Sequence, residues 1–345
     1  MMSRAFFTNL QTSGRYKGYT FHLACNEIVK EVVLNFDSET FSQFYFINRP
    51  KFLNSAAYRF KILSEIRECG YEVAICPMHT RQFLLESVIQ CSGARFKIGT
   101  ISIGNHMFDW QQQLADSWYD ELVENQKDHS FEFYRNQNFF NTISGQDLKI
   151  LNNKIRLEKK WLEKVPNESF VLLAPGASVA FRRWPTHKFA QIATEIYKNY
   201  GCQIFIIGSK SESYLYEEIH TSSGNANYIQ NLCGLLSLPE VLGWLEKAKL
   251  LVSNESAPVH MAAMVNCPTI CISNGNHYGR WNPYPESMDT KITTLYPQKF
   301  NALNERNKLA YHTKSSPFDI SEIEIQELFE VVKEVLNSPG KNSSI

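Results

Sequence analysis

The chain has 345 residues, enough for two domains of ordinary size, each with its own core. Its 35 basic and 35 acidic residues cancel, so no overall field draws it to nucleic acid or an anionic membrane, and any basic site must be local. No apolar run of about 18 residues could span a bilayer, the first residues lack a signal-peptide core, and the 8 cysteines form no Cys-x-x-Cys pair; this points to a cytoplasmic protein without disulfides.

From the N-terminus, residues 19–25 alternate loosely and predict a strand, followed by a helix over 26–35 and a strand over 44–47. Ala57, Phe60, Leu63 and Ile66 have helical spacing, and Gly70 suits a left-handed C-terminal cap. Residues 71–76 predict a strand ended by Pro77, residues 81–90 a helix, and residues 93–99 a short strand between tight turns. Alternating strands and helices imply a parallel sheet. His79 and Arg81 come just after the 71–76 strand, at the carboxyl edge of such a sheet, where an arginine suits phosphorylated or acidic sugars. A structural turn histidine is the other reading of His79. Residues 100–150 are irregular and rich in aromatics, which suit either a sugar- or partner-binding face or an aromatic core, with one helix predicted over 132–143. The polar stretch 152–166 is the predicted linker.

The second half is more regular. Residues 170–174 predict a buried strand that runs into the turn Pro175-Gly176-Ala177, and Arg182-Arg183-Trp184-Pro185 precedes a helix over 186–200 ended by Gly201. Arg182 is expected in a site and Arg183 in solvent. A strand over 203–208 leads to Ser209 and Glu212 at capping-box spacing, opening a helix to 222; Ser237 and Glu240 repeat that spacing after a strand over 228–233. The apolar runs 249–252 and 268–273 predict strands buried on both faces. Between them, Ser253-Asn254-Glu255-Ser256-Ala257-Pro258-Val259-His260 reads as a strand-to-helix turn, with Ser256 as N-cap and Pro258 in the first turn of a helix beginning at Ala257. Open amides at that edge suit a phosphate, and the small Ser256 and Ala257 let an anion approach. An ordinary capped core helix would explain the same residues. The guanidinium groups near Arg182 favour a phosphate ligand over it. Residues 274–285 predict a loop and 320–336 a long C-terminal helix.

Several chemistries lack their motif. There is no Gly-x-Gly-x-x-Gly turn, Walker A loop, Gly-x-Ser-x-Gly elbow, Asp-x-Asp pair or cluster of metal ligands. A dehydrogenase, an ATPase and a serine hydrolase are disfavoured, and no cofactor or metal is expected. A diphosphate held without metal needs arginine, lysine and helix amides.

The ordered motifs Pro175-Gly176-Ala177, Arg182-Arg183-Trp184-Pro185 with Phe189-Ala190, Gly208-Ser209-x-x-Glu212, Cys233-Gly234 with Ser237-Leu238, and Asn254-Glu255-Ser256-Ala257-Pro258-Val259-His260 resemble the donor half of glycosyltransferase family 9, the ADP-heptose:lipopolysaccharide heptosyltransferases. The resemblance covers about residues 169–285 and continues more weakly over 58–99, at Arg67, Tyr71, Gly93-Ala94 and Gly99. It implies a GT-B fold, two Rossmann-like α/β domains with parallel sheets facing a cleft. It also implies an inverting, metal-independent transfer from a nucleotide-diphospho-sugar, ADP-heptose, to a lipopolysaccharide core or related glycan, with peripheral contact at the inner membrane. Residue by residue, Arg182 stands for the family's phosphate-binding lysine, Gly176 lines the donor turn, and Ser256 and His260 match directly. Glu255 and Ala257 stand where the family usually has Asp and Gly, a change that narrows the diphosphate pocket or alters the sugar accepted. Glu212 falls where the family has an acid near the donor's sugar portions, and the capping-box role is equally open. His260 is open between a ligand contact and a bond that ties down the turn.

One departure concerns catalysis. The family begins with a strand and a Leu-Gly-Asp loop whose Asp is taken as the general base, and residues 1–18 show no match; the 19–25 strand resembles the family's second. Glu27 is the nearest stand-in. The expected organisation is an acceptor-side domain over 1–165, a nucleotide-sugar domain over 166–317, and a C-terminal helix and tail over 318–345 that packs back toward the first domain. A nucleotide-sugar-binding protein with impaired transfer is the other functional reading.

Overall fold

The computed structural model describes residues 2–12, 14–103, 106–124 and 130–338, which form two compact units, 2–150 and 151 onward. In the first unit, β1 (His22–Asn26) pairs in parallel with β2 (Gln43–Ile47), and β3 (Val73–Ile75), β4 (Phe96–Thr100) and β5 (Glu121–Val123) form a separate parallel sheet. The single sheet expected from the sequence is thus divided among the described residues. A side-chain chain links the two parts: the Tyr71 hydroxyl donates to the Tyr45 hydroxyl at 3.2 Å and lies 2.8 Å from His22 Nδ1. Neither β5 nor the helix Asp109–Asp116 is foreseen by pattern, since a strand of three residues shows no readable period. Residues 4–12, within the stretch that shows no match to the family's first strand and loop, form a helix. Its Phe6 and Leu10 are buried, and Phe6 packs on Phe133 and Phe140 with ring centroids 5.0 and 5.4 Å apart.

The second unit has one parallel sheet of β6 (Phe170–Ala174), β7 (Gln203–Ile206), β8 (Ile229–Asn231), β9 (Leu250–Asn254), β10 (Thr269–Ile272) and β11 (Ile292–Leu295), in the spatial order β11-β10-β9-β6-β7-β8. The chain lays β7 and β8 on one side of β6 and then returns to lay β9, β10 and β11 on the other. Strand order therefore reverses between β6 and β9, which makes their carboxyl ends the switch point of a doubly wound sheet. Every residue of β6, β9 and β10 is buried, as their branched apolar runs require. The helix Thr186–Tyr200 presents Phe189, Ala190, Ile192, Ala193 and Ile196 to this core and stops at Gly201, whose φ of 64° forms the left-handed cap.

One expected boundary differs. Residues 152–166, read as linker, belong to the second unit: the Ile155 amide donates to the Met264 carbonyl at 2.9 Å, and the Trp161 carbonyl lies so close to Gly243 that a Cβ there would meet it at 2.0 Å. Backbone pairing rather than composition decides this. The C-terminal helix, Ile325–Asn337, sends Leu328, Phe329 and Val332 into the second unit's core beside Trp184 and Phe189. The tail beyond Ser338 lies outside the described residues. None of the eight cysteines is in a disulfide, and no described helix is long and apolar enough to cross a membrane.

Candidate functional site

Three backbone segments meet at the β6/β9 switch point: the turn after β6, the basic turn before the Thr186 helix, and the turn from β9 into the helix Ala257–Val265. Asn254, the last residue of β9 and fully buried, joins them. Its Oδ1 accepts from the Trp184 amide at 3.0 Å and its Nδ2 donates to the Pro175 carbonyl at 2.6 Å. Sequence reading passes over Asn254 as a site residue; the available signal is a carboxamide, donor and acceptor together, at a strand end facing two turns.

The helix starts at Ala257 with Pro258 in its first turn, as expected, and Ser256 is its N-cap by position. Its side chain does not cap, however. With an extended backbone at Ser256, the hydroxyl turns back to the Asn254 carbonyl at 3.2 Å, so no side chain closes the positive end of the helix. Beside it stands Arg182, at the end of the short turn Ala180–Arg182. Its Nη2 donates to the Glu255 carbonyl at 2.7 Å and lies 3.7 Å from Glu255 Oε1, while its Nε is buried without a hydrogen-bond partner. An unused guanidinium donor next to an uncapped helix start is an arrangement that an oxyanion completes.

Glu255 lies beneath this pair. It is 4% exposed, its Oε2 accepts from the Ser273 hydroxyl at 2.5 Å, and Asn282 lies beside it. Burial raises its pKa, and the charge of Arg182 only partly offsets this. The longer side chain at this family Asp position is thus turned into the protein. His260, one turn into the helix, has Nδ1 2.7 Å from the Tyr284 hydroxyl and its ring 5.6 Å from that of Trp281. Burial, with the charge of Arg182 adding to it, pushes its pKa down to about 4, so it is neutral at pH 7 and offers hydrogen bonding rather than charge. The bond to Tyr284 is the one that the structural reading of His260 requires.

Glu212 uses both of its carboxylate oxygens within the protein. Its Oε2 accepts from the Ser209 amide at 2.8 Å, completing the capping box, and its Oε1 lies where a Cβ on Gly176 would meet it at 2.0 Å. Gly176 is therefore required by the close carboxylate. Arg183 does not face solvent as expected: its Nε and Nη2 donate to the Ala177 carbonyl at 3.0 and 2.8 Å, tying down the turn after β6.

The acceptor-side candidates of the first unit are not brought to a surface. Arg81 is fully buried; its Nε and Nη2 meet Glu86 Oε2 at 2.9 and 2.7 Å, its Nη1 meets Asp116 Oδ1 at 2.5 Å, and it lies 4.7 Å from the ring centre of Tyr119. The guanidinium's ion-pair partner Glu86 is buried with it, because the helix Phe83–Cys91 carries Glu86 back under it. His79 is 2% exposed, with Nδ1 3.2 Å from the Thr100 hydroxyl. Glu27 is exposed at the carboxyl end of β1, where its Oε2 accepts from Asn48 Nδ2 at 2.9 Å.

The sequence model described as glycosyltransferase family 9 (heptosyltransferase) matches residues 59–309. Among curated proteins, the chain is 29% identical over 132 residues to lipooligosaccharide heptosyltransferase 2 of Haemophilus ducreyi, a match covering 37% of each chain. It is 20% identical over 235 residues to lipopolysaccharide heptosyltransferase 3 of Escherichia coli K12, covering 66% of this chain and 65% of that one. These alignments thus span from about a third to two thirds of the relatives' lengths. Among solved structures, a family 9 glycosyltransferase of Veillonella parvula superposes with a TM-score of 0.74 at 12% identity, over 98% of this chain and 95% of the other. E. coli ADP-heptose heptosyltransferase II gives 0.71 at 15% identity over 97% and 94%, and an E. coli heptosyltransferase solved with ADP gives 0.70 at 13% over 97% of each. At such identities the likeness is one of fold, and the fold is GT-B.

Proposed function

The chain belongs to glycosyltransferase family 9, and on that premise we propose that it transfers a sugar from a nucleotide-diphospho-sugar, ADP-heptose, to a lipopolysaccharide core or related glycan. The observation that carries this reading is Arg182, with its unpartnered Nε, beside the uncapped start of the Ala257 helix at the sheet's switch point. The presence of ADP in a solved heptosyltransferase of the same fold supports adenosine diphosphate as the leaving group. In this reading the acceptor hydroxyl attacks the anomeric carbon from the side opposite the diphosphate and releases its proton to solvent water. The bond from that carbon to the phosphate oxygen breaks, inverting the centre. Charge builds on the departing diphosphate, where Arg182 and the helix amides lower its energy without a metal. Glu212, between the turns after β6 and β7, is the candidate for the donor's sugar hydroxyls.

Calorimetry with ADP and a transfer assay with ADP-heptose and deacylated lipopolysaccharide core test this. Arg182→Ala should weaken ADP by roughly 1.5–3 kcal/mol, the worth of a hydrogen bond to a charged group, and slow transfer. Unchanged affinity would remove Arg182 from the site. ADP binding with no transfer from ADP-heptose would leave a nucleotide-sugar-binding protein in place of this enzyme.

A further inference from the structure

Arg182 already has an anion beside it. Its Nη2 stands 3.7 Å from Glu255 Oε1, too far for a hydrogen bond, and that oxygen is buried with no hydrogen-bond partner while Oε2 is held by Ser273. The only hydrogen bond from Arg182 to this residue goes to the main-chain carbonyl. The guanidinium is thus kept near the carboxylate but not locked onto it. The Arg182 side chain is 19% exposed and Glu255 4%, so an entering anion reaches Arg182 from the outside and meets a carboxylate behind it. We propose that Glu255 is the resting counter-ion of Arg182, a positioning residue from which an arriving nucleoside diphosphate draws the guanidinium, so that the Glu255 carboxyl takes up a proton as the diphosphate binds. This rests on the diphosphate reading of the site given above.

The groups around Glu255 leave the proton few other places to go. Arg182 faces it from the basic turn, Ser273 from the end of β10, Asn282 from the following loop, Cys271 from within β10, and Tyr296 from just after β11. Cys271 and Tyr296 are both pushed well up by burial and by Glu255 itself, and so are already protonated. Burial raises the Glu255 carboxyl as well, and Arg182 is the cation that opposes this. A diphosphate that takes over Arg182 removes the opposition and adds negative charge nearby, so the bound state holds more protons. ADP affinity then falls as pH rises through the titration of Glu255. His260 also feels the charge of Arg182, and so it is the second group to control.

The test is calorimetric titration of the whole chain with ADP across pH 5.5–8, in buffers of different ionisation enthalpy, for wild type, Glu255→Gln and His260→Gln. Wild type should take up as much as one proton more than Glu255→Gln. Glu255→Gln should bind ADP more tightly at the alkaline end, by up to about tenfold for each pH unit over which the carboxyl must be reprotonated. His260→Gln should retain the uptake. Equal proton numbers and parallel pH profiles in wild type and Glu255→Gln would overturn the proposal, as would uptake lost only in His260→Gln. Should Glu255→Gln not fold, infrared difference spectroscopy of wild type decides: a protonated buried carboxyl band growing in with ADP supports the proposal, and its absence overturns it. Wild type that binds no ADP at any pH would sink the functional reading itself, a result distinct from binding without proton uptake.

Discussion

Neighbouring arginines with the same charge take different parts here, and the difference lies in what each one touches. Arg182 keeps an unused donor, whereas Arg183 spends two on the Ala177 carbonyl. Arg183→Ala should therefore lower stability by roughly 1–3 kcal/mol through a buried carbonyl left unpaired, and should disturb ADP binding only through the turn it holds. A urea midpoint that does not move would show that the turn stands without it. Arg81 extends the contrast. Removing it leaves Glu86, 1% exposed, without its cation, and breaking a buried pair in this way costs roughly 3–5 kcal/mol. Equilibrium unfolding of Arg81→Ala should show that loss. An acceptor Michaelis constant that rises while stability holds would return Arg81 to the sugar site. From the sequence, all three are arginines close behind strands; charge and position are legible there, but the partners that consume the donors come from Glu86, Asp116 and Ala177 by folding.

At the scale of elements, capping and periodicity are local, and they were readable. The helix Thr186–Tyr200 and the start at Ala257 follow from spacing, proline and glycine within one segment, as do the capping boxes at Ser209 and Ser237. What joins elements was not: Asn254 bridges segments 70 and 79 residues away. The packing of Gly176 on Glu212 offers a direct check of such a junction. In Gly176→Ala the new Cβ needs the space of Glu212 Oε1, so the carboxylate must leave its capping position. Thermal unfolding should show Gly176→Ala destabilised, Glu212→Ala destabilised by about 1 kcal/mol as a lost cap, and the double variant close to Glu212→Ala alone. Additive losses would mean that the two do not share that space.

For the whole molecule, the two units share no sheet among the described residues, and the boundary after Ile150 is set by pairing of residues 151–165 with the second unit. We predict that a fragment beginning at Leu151 folds and binds ADP, and that one beginning at Asn167 melts at lower temperature, because it loses the Ile155 to Met264 bond and the Trp161 packing on Gly243. Equal melting temperatures would return the 151–165 stretch to the role of linker. By itself the sequence determined the alternation of strands and helices, the burial of β6, β9 and β10, and the uncommitted small residues at two strand ends, since all of these depend on near neighbours in the chain. It also determined the family, because those motifs keep their order along the chain. Only the tertiary structure decided the rest. It divided the first sheet, brought the C-terminal helix onto the second core, buried Arg81, tied Arg183 to the Ala177 carbonyl, and set Arg182 over a buried glutamate. The physical reason is the same in each case. A polar side chain's role depends on whether its hydrogen bonds are met inside the protein, and the groups that meet them lie far along the chain, 73 residues away for Arg182 and 79 for Asn254.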